Sequence, residues 1–386
     1  MGVEQRTPIL EALEAARSSS VICYLTGVRR GVDSQISGDA IRVFFDHLEK
    51  LGARPVPQID LFLVSNGGES TVPWRLIALL REFGQRINVL LPYRAYSAAT
   101  LVALGADEIV MHPFAEMGPI DPTVANQFNP TDQRGNYLGI SVEDVKAYVN
   151  FINTTAGINH EEEVIKAIEI LAEKVHPLAL GNVERFISQS RMIARKLLLT
   201  HFGPDETHKI DEIVEHMASK LFFHGHPINR KEAKKDLNLK VVEPAPQIET
   251  KMWELYKDFE VDFENEIEYN PAAELNSLLY PPAPLAPHAP AAATPTPATT
   301  QPSAAATALG AGTQMGSAVS PTTSPSVTHD LLHVMIESRH LSSAYRTRRR
   351  YEFVQQQVSM GPMIMPGQPV IKEDILSQGW THAQIP

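Results

Sequence analysis

Residues 94–123 read RAYSAATLVALGADEIVMHPFAEMGPIDPT. Ser97 stands among small residues, Ala98, Ala99 and Thr100, where the spacing predicts a helix over 98–106 followed by a strand over 108–111. A helix start offers backbone N–H groups without intrahelical partners and the positive end of the helix dipole, both of which stabilise an oxyanion or a developing alkoxide. Serine is also a frequent N-cap, so taken alone this turn reads more readily as a cap than as a nucleophile.

A second element upstream shifts that balance. The largely apolar run 59–64 ends in Ser65-Asn66-Gly67-Gly68, and a helix is predicted over 70–83. Glycine has no side chain to cover its amide and tolerates unusual backbone angles, so a Gly pair after a strand is a natural oxyanion donor. It is equally a plain tight turn, since Asn-Gly is a common turn signal. The unit recurs as a strand over 88–93, the turn holding Ser97 and the helix after it. In a parallel sheet the two turns lie side by side at the carboxyl ends of neighbouring strands, where open α/β sheets form their active sites. Further out, a strand over 20–25 and a helix over 38–51, capped by Ser37 and carrying Ile41, Phe44, Phe45 and Leu48, complete an alternating α/β pattern with a parallel sheet. From Ser141 the pattern turns helical, over 142–152, 181–199, 213–223 and 229–237.

These segments resemble the Clp protease/crotonase superfamily, most closely its serine dehydrogenase proteinase family, with signal peptide peptidase A as a more distant relative. The carrying residues are SNGG at 65–68, YSAAT at 96–100, GADEIVM at 105–111 and MGPIDP at 117–122, with HPLALGNVER at 176–185 and HGHPINRKEA at 224–233. The resemblance spans roughly residues 15–258 and implies a Clp/crotonase-like spiral of β-β-α type units with a parallel sheet. It implies that Ser97 is the nucleophile of a serine peptidase, with Gly67 or Gly68 and the N–H of Ala98 as the oxyanion hole. Asn66 and Ala99 stand where relatives tend to have proline and glycine.

The general base is less legible, although a serine hydroxyl needs one to become nucleophilic. In Clp proteases it is a histidine one strand after the serine, and the matching place here holds Ile120 or Asp121. His112 comes too early and reads as structural. Signal peptide peptidases use a lysine about fifty residues downstream, to which Lys146 corresponds. Lys146 flanks the apolar stripe Val142, Val145, Val149 and Ile152 of a predicted helix, a setting that equally suits a surface lysine. Lys166 opposes its helix's stripe and reads as solvated. Asp121 is a turn former or a site-lining carboxylate, and Asn66 and His112 are the other candidate site-lining residues. His176 and Arg185 are candidates for substrate or subunit contacts.

The 386 residues, 43% hydrophobic, suffice for one large core plus accessory segments. The reading divides the chain into an N-terminal segment (1–18), the peptidase-like domain (19–258, helical from about 141), a connecting segment (259–279), a Pro/Ala/Thr-rich disordered linker (280–328) and a tail (329–386). The tail is expected to hold a short helix over 330–341 and a basic run, Arg346, Arg348, Arg349 and Arg350, able to meet an acidic partner. No apolar run approaches the roughly 20 residues of a membrane span, and the N-terminus lacks a signal-peptide pattern, so a cytoplasmic location is expected. Cys23, the single cysteine, reads as a small core residue. No metal or cofactor is expected, the histidines being scattered and nothing resembling a pyridoxal phosphate or nicotinamide site. A net charge of −11 argues against general nucleic-acid binding. A peptide or protein substrate and a homo-oligomer are expected. The rival readings are a catalytically inactive Clp-like scaffold and a crotonase-type enzyme using the two amides on an acyl thioester.

Overall fold

The computed structural model describes residues 2–385 apart from 33, 53, 121–122, 125–126, 133–134, 136, 221–225, 280–324 and 361–362. Asp121 and the Pro/Ala/Thr-rich stretch up to 324 therefore lie outside the described residues. The chain opens with α1 (Val3–Arg17), β1 (Ser20–Thr26), α2 (Ala40–Glu49), β2 (Val56–Val64), α3 (Val72–Phe83) and β3 (Gly84–Leu91). The turn region follows as β4 (Arg94–Ala95), α4 (Ala98–Leu104), β5 (Glu108–Met111), β6 (Glu116–Met117) and β7 (Thr123–Val124). After β8 (Ile140–Ser141) come α5 (Val142–Asn150), α6 (Glu161–Lys174), α7 (Pro177–Leu198) and α8 (Thr207–Glu215). The rest is β9 (Ile228–Asn229), α9 (Arg230–Lys235), β10 (Val241–Val242), α10 (Pro246–Asp262), α11 (Pro271–Leu279), β11 (Ser326–Ser338), β12 (Leu341–Met360) and β13 (Met363–Gln384).

The main sheet has the order β10-β5-β3-β2-β1-β11-β12-β13. The first five strands are parallel, as the alternation of strand and helix predicts. Their near-continuous apolar sequences follow from burial on both faces. In β1 the period-2 alternation sorts side chains cleanly. Ile22 and Tyr24 join a core with α2, α3, α4, α7 and α8, whereas Val21, Cys23 and Leu25 join Leu10 and Leu13 of α1 and Met252, Leu255 and Phe259 of α10.

A buried ionic knot ties α1 to α10 and β11. Arg6, 1% exposed, donates to Glu337 at 2.7 and 3.0 Å and to Asp258 at 2.6 Å, with Asp262 at 2.5 Å. Its guanidinium also lies over the Phe259 ring, 4.4 Å from the centroid.

The tail corrects the sequence-based expectation. Residues 330–338 lie on a strand, β11, that runs antiparallel to β1 with Ile22 opposite Ser338 and Thr26 opposite Val334, and residues 339–340 turn into β12. Leu331, Leu332, Val334, Met335 and Ile336 are all buried. A run buried on both faces reads as helix or strand alike, because periodicity cannot separate the two. The basic run lies on β12, where Arg346 pairs with Asp330 (3.6 Å), Arg349 with Glu373 (2.8 Å) and Arg350 with Asp374 (3.1 Å). Three of its four charges are thus already partnered within the chain.

His47 of α2 is fully buried, its Nδ1 2.8 Å from the Ser338 hydroxyl and its Nε2 3.0 Å from that of Ser343, which in turn sits 2.9 Å from His382. Burial pushes its pKa down to about 4. The neutral ring satisfies both hydroxyls without a buried charge.

Contacts divide the chain into two compact units, Met1–Tyr269 with Asp330–Arg348 and Ser377–Pro386, and Asn270–His329 with Arg349–Leu376. The first holds the core just described. The second comprises α11 and the outer arms of β12 and β13, laced by the Arg349 and Arg350 pairs and by His329 with Glu274 at 3.2 Å. Among the described residues no helix is long and apolar enough to cross a membrane.

Candidate active site

The two glycine and serine turns do lie side by side. The Ser65 N–H donates to the Arg94 carbonyl and the Tyr96 N–H to the Ser65 carbonyl, both at 3.0 Å, which docks the end of β2 against β4. Ser97 follows in a backbone conformation of φ 50°, ψ −113°, and its side chain makes no capping hydrogen bond. A positive φ with this ψ costs a non-glycine residue on the order of 1–3 kcal/mol and is a strain seen at functional turns. The ordinary N-cap reading fails on both counts, since a cap has extended backbone and a hydroxyl that accepts from the first turn.

The strain is held by the surroundings. The Thr100 hydroxyl bridges the carbonyls of Ala95 (2.7 Å) and Gly118 (2.9 Å), tying the first turn of α4 to β4 and to the Gly-Pro-Ile turn. Tyr96 bonds Glu116, and its ring lies where a side chain at Gly118 would be, 2.9 Å from the built Cβ. Burial together with Glu116 pushes the Tyr96 hydroxyl up to about 12, so it stays protonated as a donor.

The two glycine amides differ in their hydrogen bonding. The Gly67 N–H donates to the Ser65 hydroxyl at 2.9 Å, while that hydroxyl also accepts from Thr26 at 2.8 Å. Its carbonyl accepts from Ile36 at 2.8 Å. Gly67 therefore departs from the expectation that it serves as an oxyanion donor, because its amide is already used. A Cβ there would fall 2.8 Å from that of Ser97, so Gly67 is what lets the two turns touch. Among the described residues no hydrogen bond engages the Gly68 or the Ala98 N–H.

Ser97 and Gly68 open on a cleft of about 470 Å³, lined also by Asn66, Glu69, Leu101, Ile120 and the α7 residues Phe186, Gln189 and Ser190. Ser190 donates to the Ile120 carbonyl at 2.5 Å and fixes α7 against the Gly-Pro-Ile turn. Phe186, Gln189 and Ser190 share a helical face at i, i+3 and i+4. The sequence holds a faint signal for them in Ser190, a polar residue within the stripe of Val183, Ile187 and Ala194. Glu69 is the titratable side chain among the described lining residues, and its carboxylate accepts from the Thr71 hydroxyl (2.7 Å) and the Gly38 N–H (3.2 Å).

The remaining sequence candidates fall as follows. His112 does not line the cleft: it stacks on Trp253 of α10, ring centroids 5.1 Å apart, accepts from the Phe114 N–H and is held below the usual histidine range by burial. Lys146 lies on α5, whose Val145 packs against the buried cluster that holds Ala179, Val183 and Ile187 of α7. The α5 backbone thus adjoins the helix that walls the cleft. His176 caps α7, accepting from the Leu178 N–H, and Arg185 bonds Asn182, so each has a local structural partner.

Residues 4–134 match the ClpP-like SDH-type serine proteinases. That stretch contains both turns, the strands β1, β2, β3 and β5 behind them and the docking of one turn on the other. Two uncharacterized proteins of Methanocaldococcus jannaschii are similar. MJ1495 is 26% identical over 51% of this chain and 56% of its own length, and MJ0137 is 28% identical over 65% and 78%. The chain thus spans little more than half of the first of these. Two solved structures of the 1510-N membrane-bound stomatin-specific protease, one with a substrate peptide, align at 16% identity. They cover 57% and 56% of this chain and 81% and 74% of theirs, with TM-scores of 0.33 and 0.32.

Proposed function

We propose that the chain is a serine peptidase working through an acyl-enzyme on Ser97. The observation that carries this reading is a strained serine, free of any capping bond, beside two unengaged amides at the mouth of a cleft. In the proposed reaction the Ser97 hydroxyl oxygen bonds to the scissile carbonyl carbon while its proton passes to a base. The Gly68 and Ala98 N–H groups hold the oxyanion, which collapses with breakage of the C–N bond. The base returns the proton to the departing amine, and a water then hydrolyses the ester by the same steps in reverse roles.

The base assigned in this proposal is Lys146, an amine whose pKa falls when it is desolvated. What supports it is the packing of its helix on the wall of the cleft and a spacing from Ser97 like that of signal peptide peptidases. The test is covalent labelling with a fluorophosphonate probe over a pH series. Wild type should label, Ser97→Ala should not, and Lys146→Ala should lose the rate and its alkaline limb together. Equal labelling of wild type and Ser97→Ala would refute the nucleophile, and an unchanged pH profile in Lys146→Ala would refute the base.

A further inference from the structure

β13 is the outermost strand of the main sheet, and an outermost strand carries a row of backbone N–H and C=O groups open to another strand. In the second unit its stretch 370–376 reads Val-Ile-Lys-Glu-Asp-Ile-Leu. Val370 and Ile371 are each 39% exposed, Ile375 57% and Leu376 46%. Exposed apolar residues on a long edge strand are normally avoided, because they invite pairing.

The stretch is close to a mirror of itself about Glu373. Laid antiparallel on a second copy with Glu373 on the two-fold axis, Lys372 of each protomer faces Asp374 of its partner. In the same register Ile371 faces Ile375 and Val370 faces Leu376. Side chains alternate across a strand, so the two isoleucines flank Glu373 on one face while the lysine and aspartate lie together on the other. The one like-charge meeting is Glu373 with itself, and there Arg349 on β12 bonds each carboxylate at 2.8 Å. Within one chain Lys372 already bonds Asp374 at 3.0 Å, and Arg350 at 3.1 Å from Asp374 and Glu352 at 3.5 Å from Lys372 hold that pair on its face of the hairpin, ready to exchange partners across the axis. A lysine placed on an edge ordinarily repels strand addition. Here the aspartate two residues away turns that repulsion into self-complementarity.

We propose that residues 370–376 form a self-pairing edge through which two copies of this chain join their sheets about a two-fold axis. The occupant is a second copy rather than an unrelated strand, because the register that pairs every apolar residue also pairs both charges. The interface is independent of the peptidase reading, and its test does not use activity.

The experiment is sedimentation velocity on the full chain across the micromolar range, with charge swaps. Lys372→Asp sets two aspartates opposite two aspartates, and Asp374→Lys sets lysines opposite lysines. Each alone should weaken the dimer by about ten- to thirtyfold. Mixed in equal amounts they regain complementarity at both positions and should restore the dimer. A second measurement does not depend on those side chains. Glu373→Cys puts one thiol on the axis, facing itself, in a chain whose native Cys23 is buried and unreactive. Mild oxidation should give a disulfide-linked dimer, and Ser377→Cys, off the axis, should not. A monomeric wild type at every concentration, a dimer indifferent to both swaps, or no preference for Cys at 373 would each overturn the proposal.

Discussion

Replacing Gly67 by alanine tests whether the close approach of the two turns is what holds Ser97 in place. Gly67 has φ +103°, and a Cβ there would sit 2.7 Å from the Tyr96 carbonyl oxygen, 2.8 Å from the Ser97 Cβ and 3.2 Å from the Ala98 nitrogen. Carbon atoms in contact rest about 3.5–4.0 Å apart, so Ser97 must retreat by roughly 0.7 Å or more. Gly52 supplies the control, since it has φ +90° but nothing within 4 Å of its built Cβ. Gly52→Ala should cost only the conformational part, about 1–2 kcal/mol. Gly67→Ala adds an overpacking term of about 1–3 kcal/mol, giving roughly 2–5 kcal/mol in all. Urea unfolding should show this as a lower midpoint at unchanged slope. Displacement of the reacting oxygen on this scale should slow fluorophosphonate labelling about a hundredfold, with Gly52→Ala labelling like wild type. A Gly67→Ala midpoint shift no larger than that of Gly52→Ala would refute the reasoning.

Three further outcomes are expected. Ser97→Gly should unfold at higher urea than Ser97→Ala, by about 1–2 kcal/mol, because only glycine releases the strain at φ 50°. Arg6→Ala leaves Glu337, Asp258 and Asp262 without their cation and should destabilise by about 3–5 kcal/mol; adding Glu337→Gln should recover part of that, read from a double-mutant cycle of unfolding free energies. His47, whose folded pKa of about 4 lies below its unfolded value of 6.5, favours the fold fully above pH 6.5 and loses that contribution as pH falls toward 4. Between pH 7 and pH 4 wild type should therefore lose about 3 kcal/mol more than His47→Gln in chemical denaturation.

The parallel core was legible because strands buried on both faces are apolar throughout and their connecting helices carry one apolar stripe each. The SNGG and YSAAT turns were legible because small residues and glycines mark where backbone approaches backbone. The division of labour between Gly67 and Gly68 was not, since it depends on a hydroxyl from Ser65 that sequence does not point at either amide. The α7 wall of the cleft was hidden for a related reason. Phe186 and Gln189 look like any half-buried helix residues until the helix is seen to cross the Gly-Pro-Ile turn. The tail was misread because the run from Leu331 to Ile336 is apolar without a period, and only its pairing with β1 makes it a strand. His112 sits apart from the described cleft lining because Trp253, far away in sequence, stacks on its ring.

The antiparallel seam between β1 and β11 also bears on how the protein is made. β1 leaves the ribosome well before β11, the strand that covers its free edge. At ordinary translation rates the interval is on the order of tens of seconds. During it, the partners of Arg6 and His47 on β11 and β12, Glu337, Ser338 and Ser343, do not yet exist. Until then the β1 edge is open and Arg6 is held by Asp258 and Asp262 without its Glu337 pair. A message truncated just before Ser326 would specify an unfinished core, with every residue of the serine turn present and its scaffold unclosed.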